Sequence, residues 1–203
     1  MIVDALTSAL VNLVLLVGIP FGIYLLVRRR KEDVGVRDVL SDVGLKVGDP
    51  RYIAYGLIFA LITVAAIVIR PPAAELSVRE GSAFKIFDGL GFEGTTLTMA
   101  LIYGVVKTGF AEEFLFRGLI AGALGRRLSM VWANVTQAAI FLLPHLLILA
   151  VAPEMWPILP IVFAGALVLG WLRFKSGSIL GPWLVHAAAN VAMAISIAVR
   201  TAG

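Results

Sequence analysis

The 203-residue chain contains no cysteine, which excludes disulfides, thiolate metal ligands, a cysteine nucleophile and lipid attachment through sulfur. Charge is scarce. Asp, Glu, Lys and Arg make up 15% of the residues against 60% hydrophobic, well below the ~25% charged content of soluble domains. That balance argues against a water-soluble globule. Histidine occurs only at His145 and His186, and the zinc motif His-Glu-x-x-His is missing. Neither an internal repeat nor a low-complexity tract is visible. The net charge of +4 does not point to nucleic acid, because most cations lie in short segments between apolar runs, where membrane topology explains them. Any chemistry must therefore come from Glu, Asp, His, Ser, Lys, Arg or water.

What is abundant is apolar sequence in runs of helical length. Six such runs, near residues 5–27, 52–69, 95–124, 130–151, 158–172 and 179–199, approach the ~20 residues an α-helix needs to cross a bilayer. The expected fold class is all-α, a polytopic membrane helical bundle of about six transmembrane helices. The first run ends at Arg28-Arg29-Arg30-Lys31 and lacks both a basic leading region and a small-residue cleavage site. It reads as a retained helix rather than a removable signal peptide. Arg70-Pro71-Pro72 stops the second run, and Gly125-Arg126-Arg127 and Phe174-Lys175-Ser176-Gly177 read as tight basic turns. The stretch 75–94 mixes charges with Phe84, Ile86, Phe87 and Phe92, and fits either a segment lying along the membrane surface or a solvated loop.

Seven Lys or Arg follow the first run, two the third and two the fifth, against four on the opposite side. The positive-inside rule places the three basic connections in the cytoplasm and both termini outside.

A charge at the bilayer centre costs at least ~2.5–3.5 kcal/mol on insertion scales, so intramembrane ionisable residues are the most informative ones in such a chain. The third run holds four: Lys107, Glu112, Glu113 and Arg117. Glu113 and Arg117 have the spacing and order of an ion pair along one helix face. Glu112 points about 100° away, has no cation three or four residues distant, and should face protein or trapped water. His145 lies in the fourth run beside Pro144, where a kink or widening is expected because proline removes a donor and clashes with the carbonyl of Ile140. His186 and Asn190 lie one turn apart in the sixth run, with three alanines leaving room around them. Measured from the cytoplasmic end of each run at 1.5 Å per residue, Glu112 sits roughly 18 Å deep, Arg117 10 Å, His145 22 Å, His186 10 Å and Asn190 16 Å. All five fall in one layer.

Each residue alone has a structural reading, an interhelical hydrogen bond or a helix-face ion pair; the constellation together points to function. Glu plus His without Cys suits activation of water. A carboxylate takes the proton of water and returns one to the leaving amine, and an imidazole shares or relays it. Asn and a second His can donate to the oxyanion formed when an amide carbonyl is attacked. Two His and a Glu also match a catalytic zinc set, so Glu112, His145 and His186 are the candidate metal ligands of a competing chemistry.

Glu112-Glu113-Phe-Leu-Phe-Arg117, Phe141-Leu-Leu-Pro-His145 and His186-Ala-Ala-Ala-Asn190 resemble the Glu-Glu-x-x-x-Arg, Phe-x-x-x-His and His-x-x-x-Asn motifs of the CPBP, or Abi, family. That family comprises CAAX prenyl endopeptidase-like and bacteriocin-processing intramembrane proteins. The resemblance covers roughly residues 97–195 and divides the chain into 1–94, two transmembrane helices with charged connections, and 95–203, a four-helix catalytic core. It implies an integral, multi-pass intramembrane protease with its cavity open toward the cytoplasmic side. Its partners are membrane lipid and a peptide or protein substrate, a prenylated CAAX-type tail among the candidates, and no nucleic acid. Carried over by position, Glu112 and His145 activate water, His186 and Asn190 stabilise the oxyanion, and Glu113, Arg117 and Phe141 shape the site or hold the substrate. No cofactor is required on this reading; zinc is the alternative. Characterised prenyl endopeptidases of the family are larger, with more spans, which leaves the substrate entrance open. Two further classes remain: a non-catalytic immunity or scaffold protein of the same family, and a proton-coupled transporter using the buried Glu and His as relays.

Overall fold

The computed structural model describes residues 1–202, apart from the side chains of Glu75, Leu76 and Val151, and its regular structure is helix without strand among the described residues. The main helices are α1 Ile2–Glu32, α2 Val36–Asp42, α3 Pro50–Ile69, α4 (residues 94–125), α5 Met130–Ala150, α6 Ile158–Ser176 and α7 Leu180–Thr201. The protein is an all-α membrane bundle. Among the described residues five helices, α1, α3, α5, α6 and α7, are long and apolar enough to cross a membrane. The remaining expected span is α4. It forms a continuous helical run of more than sufficient length, but Lys107, Glu112, Glu113 and Arg117 interrupt its apolar character.

Hydrogen bonds sort the connections into two ends. At the basic end Asp49 donates to the Ser176 carbonyl (3.0 Å) and Ile179 to the Gly44 carbonyl (3.0 Å). Ser178 also donates to the carbonyl of Lys46 there. At the opposite end Gly91 donates to the Ala198 carbonyl (3.1 Å) and Arg200 to that of Pro72 (2.6 Å), and Arg79 pairs with Glu154. Alternation of connections between the ends is what an up-and-down bundle with α4 as a crossing requires. Stretch 75–94 is anchored: Phe87 is fully buried against Met99, Tyr103 and Ile197, while Phe92 is exposed.

Residues 174–176 are not a turn. Gly177 adopts the left-handed conformation (φ 71°) and donates to the Arg173 carbonyl, so α6 runs on to Ser176 before a glycine cap stops it. The extension keeps Arg173 helical and buried. Its Nε donates to the Arg117 carbonyl (2.9 Å) and its Nη2 to that of Asp42 (2.6 Å), fastening segment 33–49 across the basic end. Val43 of that segment enters the core beside Phe114, Leu119 and Ile179.

Glycines let α7 approach two neighbours closely. A β-carbon on Gly56 of α3 would lie 2.9 Å from the Gly181 Cα, and one on Gly104 of α4 would lie 2.7 Å from Val191 Cγ2. Small residues at such crossings are how membrane helices gain packing without a hydrophobic driving force between them. Helix α1 packs mainly on α4 and otherwise faces outward.

Two helices are locally widened. Residues 13–18 of α1 precede Pro20, whose missing N–H and ring preclude the regular i−4 bond. Residues 102–110 and 114–120 of α4 flank the two glutamates. Thr108 Oγ1 donates to the Tyr103 carbonyl five residues back (2.9 Å), and Asn12 of α1 donates to the Lys107 carbonyl (3.2 Å). These side chains occupy carbonyls of a wide turn, a feature that recurs at functional sites.

Candidate active site

Glu113 and Arg117 are one turn apart on α4, both 0% exposed, with Arg117 Nη1 donating to Glu113 Oε1 at 2.9 Å. The same oxygen accepts from His186 Nδ1 of α7 at 2.7 Å. A carboxylate paired with arginine only accepts, so the ring proton stands on Nδ1 and Nε2 is the free nitrogen. That Nε2 lies 3.9 Å from Glu112 Oε2. Glu112 retains 24% side-chain exposure and His186 13%. The two neighbouring glutamates thus differ: Glu113 is sealed into an ion pair, whereas Glu112 is reachable.

On α5, His145 donates from Nδ1 to the Phe141 carbonyl (2.9 Å), which also leaves its Nε2 free. Helix continues through Pro144 to Leu146 and breaks its pattern at Leu147. The Phe141 ring lies under the Arg117 guanidinium (4.2 Å), 4.8 Å from the His145 ring and 6.3 Å from the His186 ring. It shapes the wall between the two histidines and shields the buried cation.

Asn190, one turn beyond His186, donates from Nδ2 to Thr108 Oγ1 at 2.8 Å. Since the Thr108 hydroxyl already donates to the Tyr103 carbonyl, it can only accept from Asn190. The relay therefore fixes which end of the carboxamide is the amino group and leaves its second N–H unassigned.

His145, His186, Asn190 and Phe141 line a cavity of about 420 Å³ together with Phe59 and Thr63 of α3. Glu112 and His145 line a second one of about 260 Å³ against Leu16 of α1. Both cavities meet at His145. The structure thus brings Glu112, Glu113, Arg117 and His186 into one bonded or near-bonded chain. His145 and Asn190 face them across cavity space, without a direct bond to Glu112.

The α6 wall of the larger cavity, residues 161–169, lies about the middle of that helix. Beside it α3, α6 and α7 pack together through Ala60, Leu169, Leu172 and Val185.

Among the described residues no three His, Asp or Glu side chains stand close enough to hold one metal ion. Glu112, His145 and His186 do not converge as a zinc set.

Sequence reasoning passed over Thr108. The available signal was that Asn190, in an apolar helix, needs a buried hydrogen-bonding partner at its own depth.

The sequence model of the family described as type II CAAX prenyl endopeptidase Rce1-like matches residues 94–192. Every residue of the site lies within that stretch. No curated protein and no solved structure matches the chain.

Proposed function

Because residues 94–192 match the Rce1-like family of type II CAAX prenyl endopeptidases, a family of proteases, we propose that the chain is a member of it and an intramembrane endopeptidase. It hydrolyses a peptide bond of a membrane-associated substrate, a prenylated CAAX-type chain being the first candidate, with water activated by Glu112. One observation carries this reading: the buried Arg117–Glu113 pair holds His186 so that its free Nε2 lies 3.9 Å from the reachable carboxylate of Glu112. A single water bonded to both atoms at ~2.8 Å spans that distance.

Glu112 accepts a proton from this water as its oxygen attacks the carbonyl carbon. His186 Nε2 accepts the second hydrogen bond and orients the water. The oxyanion of the tetrahedral intermediate takes the unassigned N–H of Asn190, which Thr108 holds in place. When the C–N bond breaks, the proton on Glu112 passes to the leaving amine. His145 faces the same space with a free Nε2 and supports the water or the leaving amine. Residues 95–203 carry this chemistry, while residues 1–94 wall and cap it. With the basic end in the cytoplasm, the substrate reaches the cavity walled by α3, α5, α6 and α7 from the membrane plane.

The test is hydrolysis in liposomes of a farnesylated carboxy-terminal peptide and its unprenylated counterpart, with products read by mass spectrometry. Cleavage of the prenylated peptide that survives a chelator is the expected result. Cleavage lost on chelation would restore the zinc alternative. Failure to cleave either peptide would favour the immunity or scaffold reading.

A second expectation concerns Thr108. Thr108→Val preserves shape but removes the oxygen that Asn190 donates to, a bond of ~1 kcal/mol net, so kcat should fall about fivefold with little change in KM. Thr108→Ser should restore it. Equal losses in kcat for both variants would mean that the residue serves only the helix.

A further inference from the structure

Lys107 has no part in the site above. It belongs to α4 but lines a separate cavity of about 410 Å³ between α4 and α1, with Ala5, Ser8, Ile86, Met99 and Tyr103 as other walls. The ammonium lies 5.5 Å from the centre of the Tyr103 ring, and among the described residues no carboxylate lies within the 4.0 Å of an ion pair. Asp4 at the rim is bonded instead to the amino group of Met1 at 2.7 Å. Every other cation on α4 up to its last turn is neutralised: Arg117 has Glu113. An ammonium without a counter-ion in a membrane-spanning helix costs ~2.5–3.5 kcal/mol, and here it stands in a space nearly as large as the catalytic cavity.

We propose that this cavity is an anion site that takes the phosphate group of an anionic membrane phospholipid, with Lys107 as its cation. The chemistry of the walls favours a lipid over a soluble anion. Ala5, Ile86 and Met99 offer apolar surface beside Lys107, the Ser8 and Tyr103 hydroxyls add donors, and the Asp4 carboxylate that also lines the cavity is offset by the Met1 amino group. Helix α1 is peripheral, and its Leu6, Leu10 and Val14 are exposed, so acyl chains pass from the cavity into the surrounding bilayer without displacing protein. The cavity runs from Lys107, inside the span, to the end where α1 begins and residues 85–87 fold over α4, so the long Lys107 side chain reaches toward headgroup depth. Because α1 touches the bundle mainly through α4, a lipid wedged there fixes the helix that also supplies Leu16 to the Glu112 cavity.

Native mass spectrometry of the purified chain, released from micelles containing equal phosphatidylglycerol and phosphatidylcholine, tests this without any peptidase readout. The wild type should retain phosphatidylglycerol over phosphatidylcholine by ~5-fold, the equivalent of one interfacial cation. Lys107→Met should bring the ratio to about one, and Lys107→Arg should preserve it. Ser8→Leu fills the cavity while leaving the charge, and should also abolish the preference. An unchanged ratio in both Lys107→Met and Ser8→Leu would overturn the proposal. So would displacement of the lipid by millimolar inorganic phosphate, which would make the site one for a soluble anion.

Discussion

Replacing Glu112 with Gln is expected to lower kcat for peptide hydrolysis by about 10²–10⁴, the range for loss of a general acid–base group. The thermal midpoint should stay close to wild type. The two halves of this result follow from one geometric fact. Glu112 is the member of the glutamate pair that keeps 24% side-chain exposure and makes no ion pair with Arg or Lys among the described residues, so the amide exchange leaves no buried cation unpaired. Surface-accessible, nearly isosteric exchanges of that kind fall within about 0.5–1 kcal/mol. An amide still donates and accepts hydrogen bonds, so water is held; it no longer takes the proton. Rate and stability must therefore separate. Full turnover in Glu112→Gln would remove the base from the proposed mechanism, and an unfolded variant would mean that Glu112 holds the bundle together, as a scaffold reading requires.

The bundle was legible in the sequence because a membrane span writes its own length in consecutive apolar residues. Six runs were read that way, α4 among them. For α4 the apolar signal is weakest because its charges occupy the span, yet those charges made it the most informative helix to inspect. The i, i+4 spacing of Glu113 and Arg117 foretold their contact, since it depends only on local helical geometry. Partners across helices were less accessible. Equal depth grouped Glu112, His145, His186 and Asn190, but depth says nothing of azimuth. Hence His186, not His145, is the histidine that stands next to the glutamates. Its Nδ1 is committed to Glu113, so Nε2 is the ring nitrogen left toward Glu112. The widened turns of α4 add a further shift, because a turn closed at i−5 rotates every later residue relative to a regular helix. Arg173 was counted only as one of the two cations following the fifth run. Its role in closing the basic end depends on Gly177 extending α6, a boundary that sequence periodicity places only loosely.

Breaking the Glu113–Arg117 pair should have the largest effect on stability. Both side chains are 0% exposed, and removing one partner from a buried ion pair costs about 3–5 kcal/mol because the other charge stays behind without compensation. Arg117→Met leaves Glu113 with His186 as its sole hydrogen-bond partner. Glu113→Leu leaves an arginine whose Nε and Nη2 already have no partner among the described residues, facing only the Phe141 ring. Each single variant should therefore unfold at much lower denaturant in mixed micelles. The double variant Glu113→Leu/Arg117→Met removes both charges and keeps volume, and hydrophobic replacement of a whole buried pair is often neutral or stabilising by about 1–4 kcal/mol. Stability should return toward wild type in the double variant. Turnover should not, because His186 loses the acceptor that fixes its Nδ1 proton and points its Nε2 toward Glu112. Recovery of both stability and turnover would show that the pair is packing alone. Single variants as stable as wild type would show that water reaches the two groups. Only recovered stability with turnover still lost assigns the pair its place as the fixed post on which the catalytic imidazole hangs.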